Sequence, residues 1–144
     1  WAETINRRTL ERMIPHFGEC TGSLMAKIKT GELIDAALDW AVQEIEYQRM
    51  VAEGEHVKQW ALDDHRAGAS INPYSTDWSW GGPLLERENI SVGYQGHSGV
   101  PLDSLWYATN RVDACGFGQK PLTAAMRCFC SRLGDEVEVP DELL

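Results

Sequence analysis

The residues best suited to binding a ligand are concentrated in residues 72–83, which hold three aromatic residues, two glycines and two prolines. Trp78 and Trp80 flank a serine, and tryptophans in a loop offer flat faces on which a nucleobase stacks with about 1–3 kcal/mol per base. The backbone amides of Gly81 and Gly82, or a helix that begins at Pro83, can receive an anion. The stretch is equally compatible with a structural role, in which both tryptophans fill the core and Gly-Gly-Pro turns the chain.

Residues around this stretch complete a candidate ligand site. Asp77 can accept a hydrogen bond from a ribose hydroxyl, and Trp106 offers another stacking surface. Four cations follow in the sequence: Arg87, Arg111, Lys120 and Arg127. If they cluster in space they form an electropositive pocket, and if they are scattered they are ordinary surface charges. The predicted ligand-binding residues are Tyr74, Asp77, Trp78, Trp80, Gly81, Gly82, Arg87, Trp106, Arg111 and Arg127.

No catalytic or metal-binding arrangement is recognisable in the sequence. The histidines lack the spacing of metal ligands, and His65, which follows two aspartates, is typical of a solvated helix end. There is no Gly-x-Ser-x-Gly sequence and no P-loop. Glu86-Arg87-Glu88 is better explained as a solvated turn than as a catalytic carboxylate pair. We therefore expect no enzyme activity, no metal and no cofactor.

The charge of the chain limits its partners. Thirteen Lys and Arg against 22 Asp and Glu give a net charge of −9, which repels phosphate backbones and gains nothing from counterion release. Direct binding to DNA or RNA is therefore not expected. A small anionic ligand in a locally basic pocket remains compatible with this charge.

The cysteines and the hydropathy pattern favour a cytoplasmic protein. No apolar run approaches the roughly 20 residues of a membrane-spanning helix. Cys128 and Cys130 point to opposite sides of a predicted helix and cannot chelate one metal ion. With Cys20 and Cys115, they are interpreted as reduced, mostly buried thiols rather than as two disulfides.

The apolar spacing predicts three helices. The first begins after Thr30, a suitable N-cap, and runs to about Met50 with its apolar stripe at i, i+4, i+7 and i+11. A second spans about residues 55–66. The third begins with Pro121 at its first position and ends before Gly134, a typical C′ residue.

Short alternating segments predict a small sheet between and after these helices. Residues 90–94 and 105–108 are predicted strands, Ser70 and Ile71 a short third one, and Val137 and Val139 lie in a possible edge strand. The expected fold class is α+β, with two or three amphipathic helices packed on a small antiparallel sheet. Residues 1–24 carry a short apolar pattern that Pro15 would end, and we interpret them as an N-terminal extension of a single domain that spans residues 25–144.

Three stretches together resemble the NinX-like accessory proteins of tailed bacteriophages. They are Lys29-Thr-Gly-Glu-Leu33 with Ala36-Ala-Leu-Asp-Trp-Ala-Val42, Tyr74-Ser-Thr-Asp-Trp78 with Gly81-Gly-Pro, and Pro121-Leu-Thr-Ala-Ala-Met-Arg127 with Leu133-Gly-Asp-Glu-Val137. Their order covers nearly all of residues 27–140. The segment from about Gln48 to Arg66 is longer than the usual connection in this family. The resemblance implies a viral protein that acts in the infected cell, and it brings no catalytic residues.

A weaker likeness, at the level of the fold, is to small phage proteins that sequester nucleotide-derived immune signals. It implies an anti-defence sponge, a homo-oligomer that binds a signalling nucleotide in pockets between its protomers and performs no chemistry on it. The alternative is an acidic protein that inhibits or modulates a host defence or nucleic-acid-processing protein, using the helix around residues 44–55 and the acidic tail. Six tryptophans in a 16.2 kDa chain favour oligomerisation on either hypothesis.

Overall fold

The computed structural model describes residues 25–110 and 115–144, and the fold class is α+β as predicted. The predicted N-terminal extension and Arg111 lie outside the described residues. The described part has four helices rather than two or three: α1 (Asp35–Ala52), α2 (Gln59–Arg66), α3 (Trp78–Glu88) and α4 (Pro121–Cys130). None of these helices has both the length and the apolar character needed to cross a membrane.

The strands form two small antiparallel sheets instead of one. In chain order they are β1 (Met25–Lys29), β2 (Ser91–Tyr94), β3 (Trp106–Thr109), β4 (Cys115–Gly118) and β5 (Glu136–Pro140). The acidic tail does form a strand, as predicted, but β5 pairs with β1 in a sheet of its own. The other sheet has the order β2-β3-β4.

The prediction of a third strand at Ser70 and Ile71 was wrong, since β4 takes that place in the three-stranded sheet. Ser70 has a positive φ of 55°, and its carbonyl oxygen accepts a hydrogen bond from Gln43 Nε2. The amide of Asn72 donates to Gln43 Oε1 at 2.9 Å. These backbone groups are bonded to a helix side chain and not to a neighbouring strand.

The predicted start of the first helix was also wrong. Thr30 does not cap α1; its hydroxyl donates to the carbonyl oxygen of Gly134 at 2.6 Å and so ties the end of β1 to the turn before β5. Thr30 lies in a short 3₁₀ turn, Leu33 and Ile34 are extended, and α1 begins only at Asp35. Burial of Leu33, which is fully inaccessible to solvent, favours this extended entry over an earlier helix start.

Helix α4 is the centre of the fold, and its predicted start at Pro121 is confirmed. Every residue from Ala124 to Cys130 is buried. One side of α4 covers the three-stranded sheet, and the other packs against α1 and α3. The helix ends at Cys130 and a 3₁₀ turn follows. Gly134, which was predicted to follow the helix end, comes after this turn and has a positive φ of 95°.

The contact between α4 and β4 requires glycine in the strand. A Cβ atom at Gly116 would overlap the carbonyl oxygen of Ala124 and approach the amide nitrogen of Cys128 to 2.5 Å. Both atoms belong to the α4 backbone, which has no flexible end that could move aside. The alternation of buried Gly116 and Gly118 with exposed Cys115 and Phe117 follows from this approach.

We expect Gly116→Ala to destabilise the protein by about 1–3 kcal/mol, because an added methyl group must push the helix away from the sheet. Urea unfolding measured against the parent chain tests this. Gly31→Ala is the matched control, since a Cβ atom there meets nothing within 4 Å. An equal, small effect of both substitutions would contradict the proposed close approach.

Candidate ligand-binding site

Helix α1 holds the turn that carries the predicted ligand-binding stretch. The amide of Ser75 donates to Asp39 Oδ1 at 2.7 Å, and the amide of Asn72 donates to Gln43, one helical turn further along α1. Burial raises the pKa of Asp39, and hydrogen bonds from Ser75 oppose that rise. Two buried polar side chains of α1 thus hold the backbone of residues 72–75 by hydrogen bonds.

The tryptophan stretch is a helix start and not the glycine-rich loop that the sequence predicted. Helix α3 begins at Trp78, five residues before the expected start at Pro83. Asp77 is its N-cap, and Asp77 Oδ1 accepts hydrogen bonds from Ser79 N at 2.9 Å and Ser79 Oγ at 2.6 Å. These bonds lower the pKa of Asp77. The proposed contact of Asp77 with a ribose would therefore compete with its capping role.

Gly81 and Gly82 do not present free amides, contrary to the prediction. The amide of Gly81 donates to the carbonyl oxygen of Asp77 at 2.9 Å, and Gly82 follows it within the helical ladder. A Cβ atom at Gly81 would overlap the carbonyl oxygen of Tyr74 and approach Leu122 Cδ1 to 2.7 Å. Glycine is needed here for close packing of α3 on the turn and on α4.

The two tryptophans are neither sealed in the core nor fully solvated. Trp78 is 51% exposed and Trp80 43%, whereas Tyr74 is 7% exposed. The rings of Tyr74 and Trp80 meet edge to face, with centroids 5.6 Å apart. Burial raises the pKa of Tyr74. Tyr74 therefore supports Trp80 from inside, and each indole keeps a large area open to solvent.

A recess of about 150 Å³ lies beside Trp78. Its lining combines the turn, the first residue of α3 and the start of α4: Ser75, Thr76, Trp78, Lys120, Pro121 and Leu122. Lys120 is exposed and forms no ion pair with any residue in the described ranges. The recess thus brings together the Trp78 indole, the hydroxyl groups of Ser75 and Thr76, and the Lys120 ammonium group at the positive end of a helix.

The arginines predicted to hold phosphate lie elsewhere and are already paired. Arg87 makes a bidentate ion pair with Glu46 at 2.9 and 2.6 Å, and its Nε donates to Glu88. These partners raise the pKa of Arg87 despite its partial burial. Arg132 donates to the other oxygen of Glu88 at 2.7 Å. The result is a chain of ion pairs that joins α1, α3 and the 3₁₀ turn after α4.

Arg127 is a buried cross-link of the fold. Its side chain is 4% exposed, its Nε donates to the carbonyl oxygen of Leu33, and its Nη1 contacts the carbonyl oxygen of Phe117 and both carboxylate oxygens of Asp103. Lys120 is therefore the only one of the described candidate cations that lines the recess. Arg111 lies outside the described residues.

Trp106 does not line the Trp78 recess either. It lies on the three-stranded sheet, packs against the core and meets Tyr94 at a centroid distance of 5.1 Å. Of the nine predicted site residues that the structure describes, only Trp78 lines the recess. Ser75, Thr76 and Leu122 also line the recess and were not predicted as site residues. Pro121 correctly marked the start of α4, and this start places Lys120 at a helix N-terminus.

The prediction of a solvated His65 was wrong. Its ring is 2% exposed, stacks on Trp40 at 4.5 Å with an interplanar angle of 7°, and meets Tyr47 edge-on. Nε2 lies 2.8 Å from Glu44 Oε1, and Nδ1 lies 3.2 Å from Gln43 Nε2. Because Gln43 Oε1 accepts from the amide of Asn72, Gln43 presents its amide N–H to His65 Nδ1, and Nε2 is the ring nitrogen that faces Glu44.

The cysteines follow the predicted pattern in part. Cys128 and Cys130 are buried as predicted, whereas Cys115 is exposed, and Cys20 lies outside the described residues. Burial raises the pKa of Cys128 to about 11 and that of Cys130 still further. Neither buried thiol is therefore suited to act as a nucleophile near neutral pH.

The hydrogen bond between His65 and Glu44 makes part of the stability dependent on pH. It lowers the pKa of Glu44, partly opposed by burial, so the folded state binds this proton less tightly than the unfolded state. The stabilisation by ionised Glu44 is fully present at pH values above its ordinary pKa of 4.5, and it is lost as the pH falls through the lower pKa of the folded state.

We expect Glu44→Gln to lose less stability than the parent chain between about pH 6 and about pH 3. Urea unfolding across this range checks the difference, with Glu32→Gln as the exposed control, and parallel curves for Glu44→Gln and parent would refute it.

Comparison with known proteins agrees with the resemblance seen in the sequence. The family model described as "Bacteriophage P22, NinX" matches residues 29–132, a span that runs from the end of β1 to the turn after α4 and includes the Trp78 recess. No curated protein matches the chain. The protein belongs to the NinX family of bacteriophage proteins.

Proposed function

We propose that this phage accessory protein binds a small nucleotide-derived immune signal at the Trp78 recess and sequesters it, without chemistry, in the cytoplasm of the infected cell. The observation that carries the proposal is the half-exposed indole of Trp78 in the same recess as the ammonium group of Lys120, which has no ion pair within the described ranges. In a chain of net charge −9, a recess lined by a cation and by no carboxylate suits an anionic ligand.

The chemical groups of the recess match the parts of a nucleotide. The exposed face of Trp78 can stack a base. Lys120 and the first amides of α4 can attract a phosphate group, because a helix N-terminus carries partial positive charge. Thr76 is exposed, and its hydroxyl can exchange a hydrogen bond with a sugar or a phosphate oxygen.

The size of the recess limits what one chain can enclose. Its volume of about 150 Å³ is below the roughly 300–1,000 Å³ typical of pockets for small-molecule ligands. One chain therefore covers only part of a nucleotide, and the rest must lie against the neighbouring surface or against another protomer. This supports the expectation of a sponge whose pockets are completed in an oligomer.

The lining residues also support binding without catalysis. They include two hydroxyl groups and one amine, but no histidine, cysteine or carboxylate that could activate a hydroxyl group. Asp39, which contacts Ser75, is buried and committed to holding the turn. A nucleotide bound here would be retained rather than converted.

A second candidate function is supported by a different surface. A wide, open recess of about 770 Å³ is lined by Lys29, Gly31, Glu32, Asp135 and Glu136. Three carboxylates on such a surface suit a basic site on a host protein, which the acidic inhibitor hypothesis requires. Complex formation on this surface should weaken with salt, because exposed charges are screened.

Isothermal titration calorimetry of the full chain against a panel of cyclic and ADP-ribose-type nucleotides tests the leading proposal. We expect at least one to bind with micromolar or tighter affinity. Trp78→Ala should weaken that binding by about 5- to 150-fold, which corresponds to the loss of one stacking contact of 1–3 kcal/mol. Lys120→Gln should also weaken it and reduce its salt dependence.

The matched control is Trp60→Ala, because Trp60 is 61% exposed and does not line the recess. It should bind as the parent chain does. Equal weakening by Trp60→Ala and Trp78→Ala, or no binding of any nucleotide in the panel, would contradict the proposal. Capture of a host protein that is lost on Glu32→Lys with Glu136→Lys would instead favour the acidic inhibitor.

A further inference from the structure

The strands of the three-stranded sheet differ in charge from the chain as a whole. Its strands read Ser-Val-Gly-Tyr, Trp-Tyr-Ala-Thr and Cys-Gly-Phe-Gly, and none of these residues is charged. The whole chain carries 22 acidic and 13 basic residues. The contrasting two-stranded sheet has charged residues in both strands.

One face of the three-stranded sheet is open to solvent in the described part of the chain. Helix α4 covers the other face, where it contacts Gly116 and Gly118. Strand alternation places a second set of residues on the open face. This outer sheet face consists of Ser91, Gly93, Tyr107, Thr109, Cys115 and Phe117.

The aromatic residues of the outer sheet face form a flat apolar surface. Tyr107 and Phe117 are direct cross-strand partners, and they are 37% and 43% exposed. A Cβ atom at Gly93 would lie 2.5 Å from Tyr107 Cζ and Oη, so the Tyr107 ring lies across β2 instead of projecting from the sheet. Glycine at position 93 makes room for this flat arrangement.

Charge distinguishes this face from most of the other exposed apolar residues. An acidic residue lies within three sequence positions of Ile34, Val51, Trp60, Trp78, Trp80, Leu102 and Leu144. Tyr107 and Phe117 have none within that distance, and neither do Met25 and Tyr94, which do not belong to the outer sheet face. A basic partner would gain little at this face and would be attracted to the carboxylates elsewhere.

We propose that the outer sheet face is the interface with a second copy of this chain, packed face to face about a two-fold axis. Two copies of a protein of net charge −9 repel each other, so the surfaces that meet must exclude carboxylates. A two-fold interface brings the same patch of each copy together, and an uncharged aromatic patch is complementary to itself. The proposal depends on the sheet alone and holds whether or not the Trp78 recess binds a nucleotide.

The oligomeric state of the full chain tests the proposal. We expect sedimentation velocity to show a dimer of twice the 16.2 kDa chain mass at micromolar concentration. Phe117→Glu should weaken dimerisation at least about tenfold, because it places two carboxylates against each other in a desolvated interface. The matched control, Trp60→Glu, adds the same charge at an exposed aromatic residue elsewhere and should leave the dimer intact.

Cys115 offers a second measurement, since it lies on the same face and is exposed in the single chain. In a Cys20→Ser background, its alkylation by iodoacetamide should slow as protein concentration rises through the dimerisation range, and Phe117→Glu should abolish this slowing. A monomeric parent chain at high micromolar concentration, or a dimer that survives Phe117→Glu, overturns the proposal. The proposal is also overturned if Phe117→Glu lowers thermal stability at concentrations where the parent chain is monomeric. Such a loss would mean that residues of the same chain cover the outer sheet face.

Discussion

The rest of the structure depends on how closely α4 approaches the three-stranded sheet. Gly116 permits contact between the backbone of β4 and the backbone of α4, and this leaves the helix buried along most of its length. Because interiors are packed as densely as organic crystals, a helix held this tightly sets the position of every element that contacts it. Gly81 likewise lets helix α3 pack closely on the backbone of Tyr74 and on the Leu122 side chain of α4. The recess at the start of α4 follows from these two close contacts.

Charged residues complete this arrangement, although they lie mostly outside the apolar core. Arg127 extends from α4 and links the segment before α1, the strand β4 and the 3₁₀ turn at Asp103. On the opposite side, Glu46 and Glu88 receive Arg87 and Arg132. These pairs consume most of the cations that could have formed an electropositive pocket. Lys120 lines the recess, whereas Arg87 and Arg127 form ion pairs with Glu46 and Asp103 elsewhere.

The helical elements were largely predictable, because apolar spacing reports which face of a helix is buried and proline marks its first turn. The errors arose where side chains bond to distant backbone. Thr30 is a typical N-cap residue, but its hydroxyl bonds to Gly134, far along the chain. His65 follows two aspartates, yet it is buried because Trp40, Tyr47 and Gln43 approach it from α1. For the candidate site, the sequence pattern included Trp78, which lines the recess, but it could not select among the cations.

By itself, the sequence determined the α+β class, the family and the acidic surface, since these depend on composition, periodicity and motif order. Only the tertiary structure decided which residues meet. It showed that Asp77 caps a helix, that Gly81 serves packing, and that Arg87 and Arg127 are paired while Lys120 is left at the recess. The physical reason is that a guanidinium or an amide group can form the same hydrogen bonds at any position in the chain. Which partner it bonds to depends on the elements that the fold brings next to it, and these are remote in the sequence.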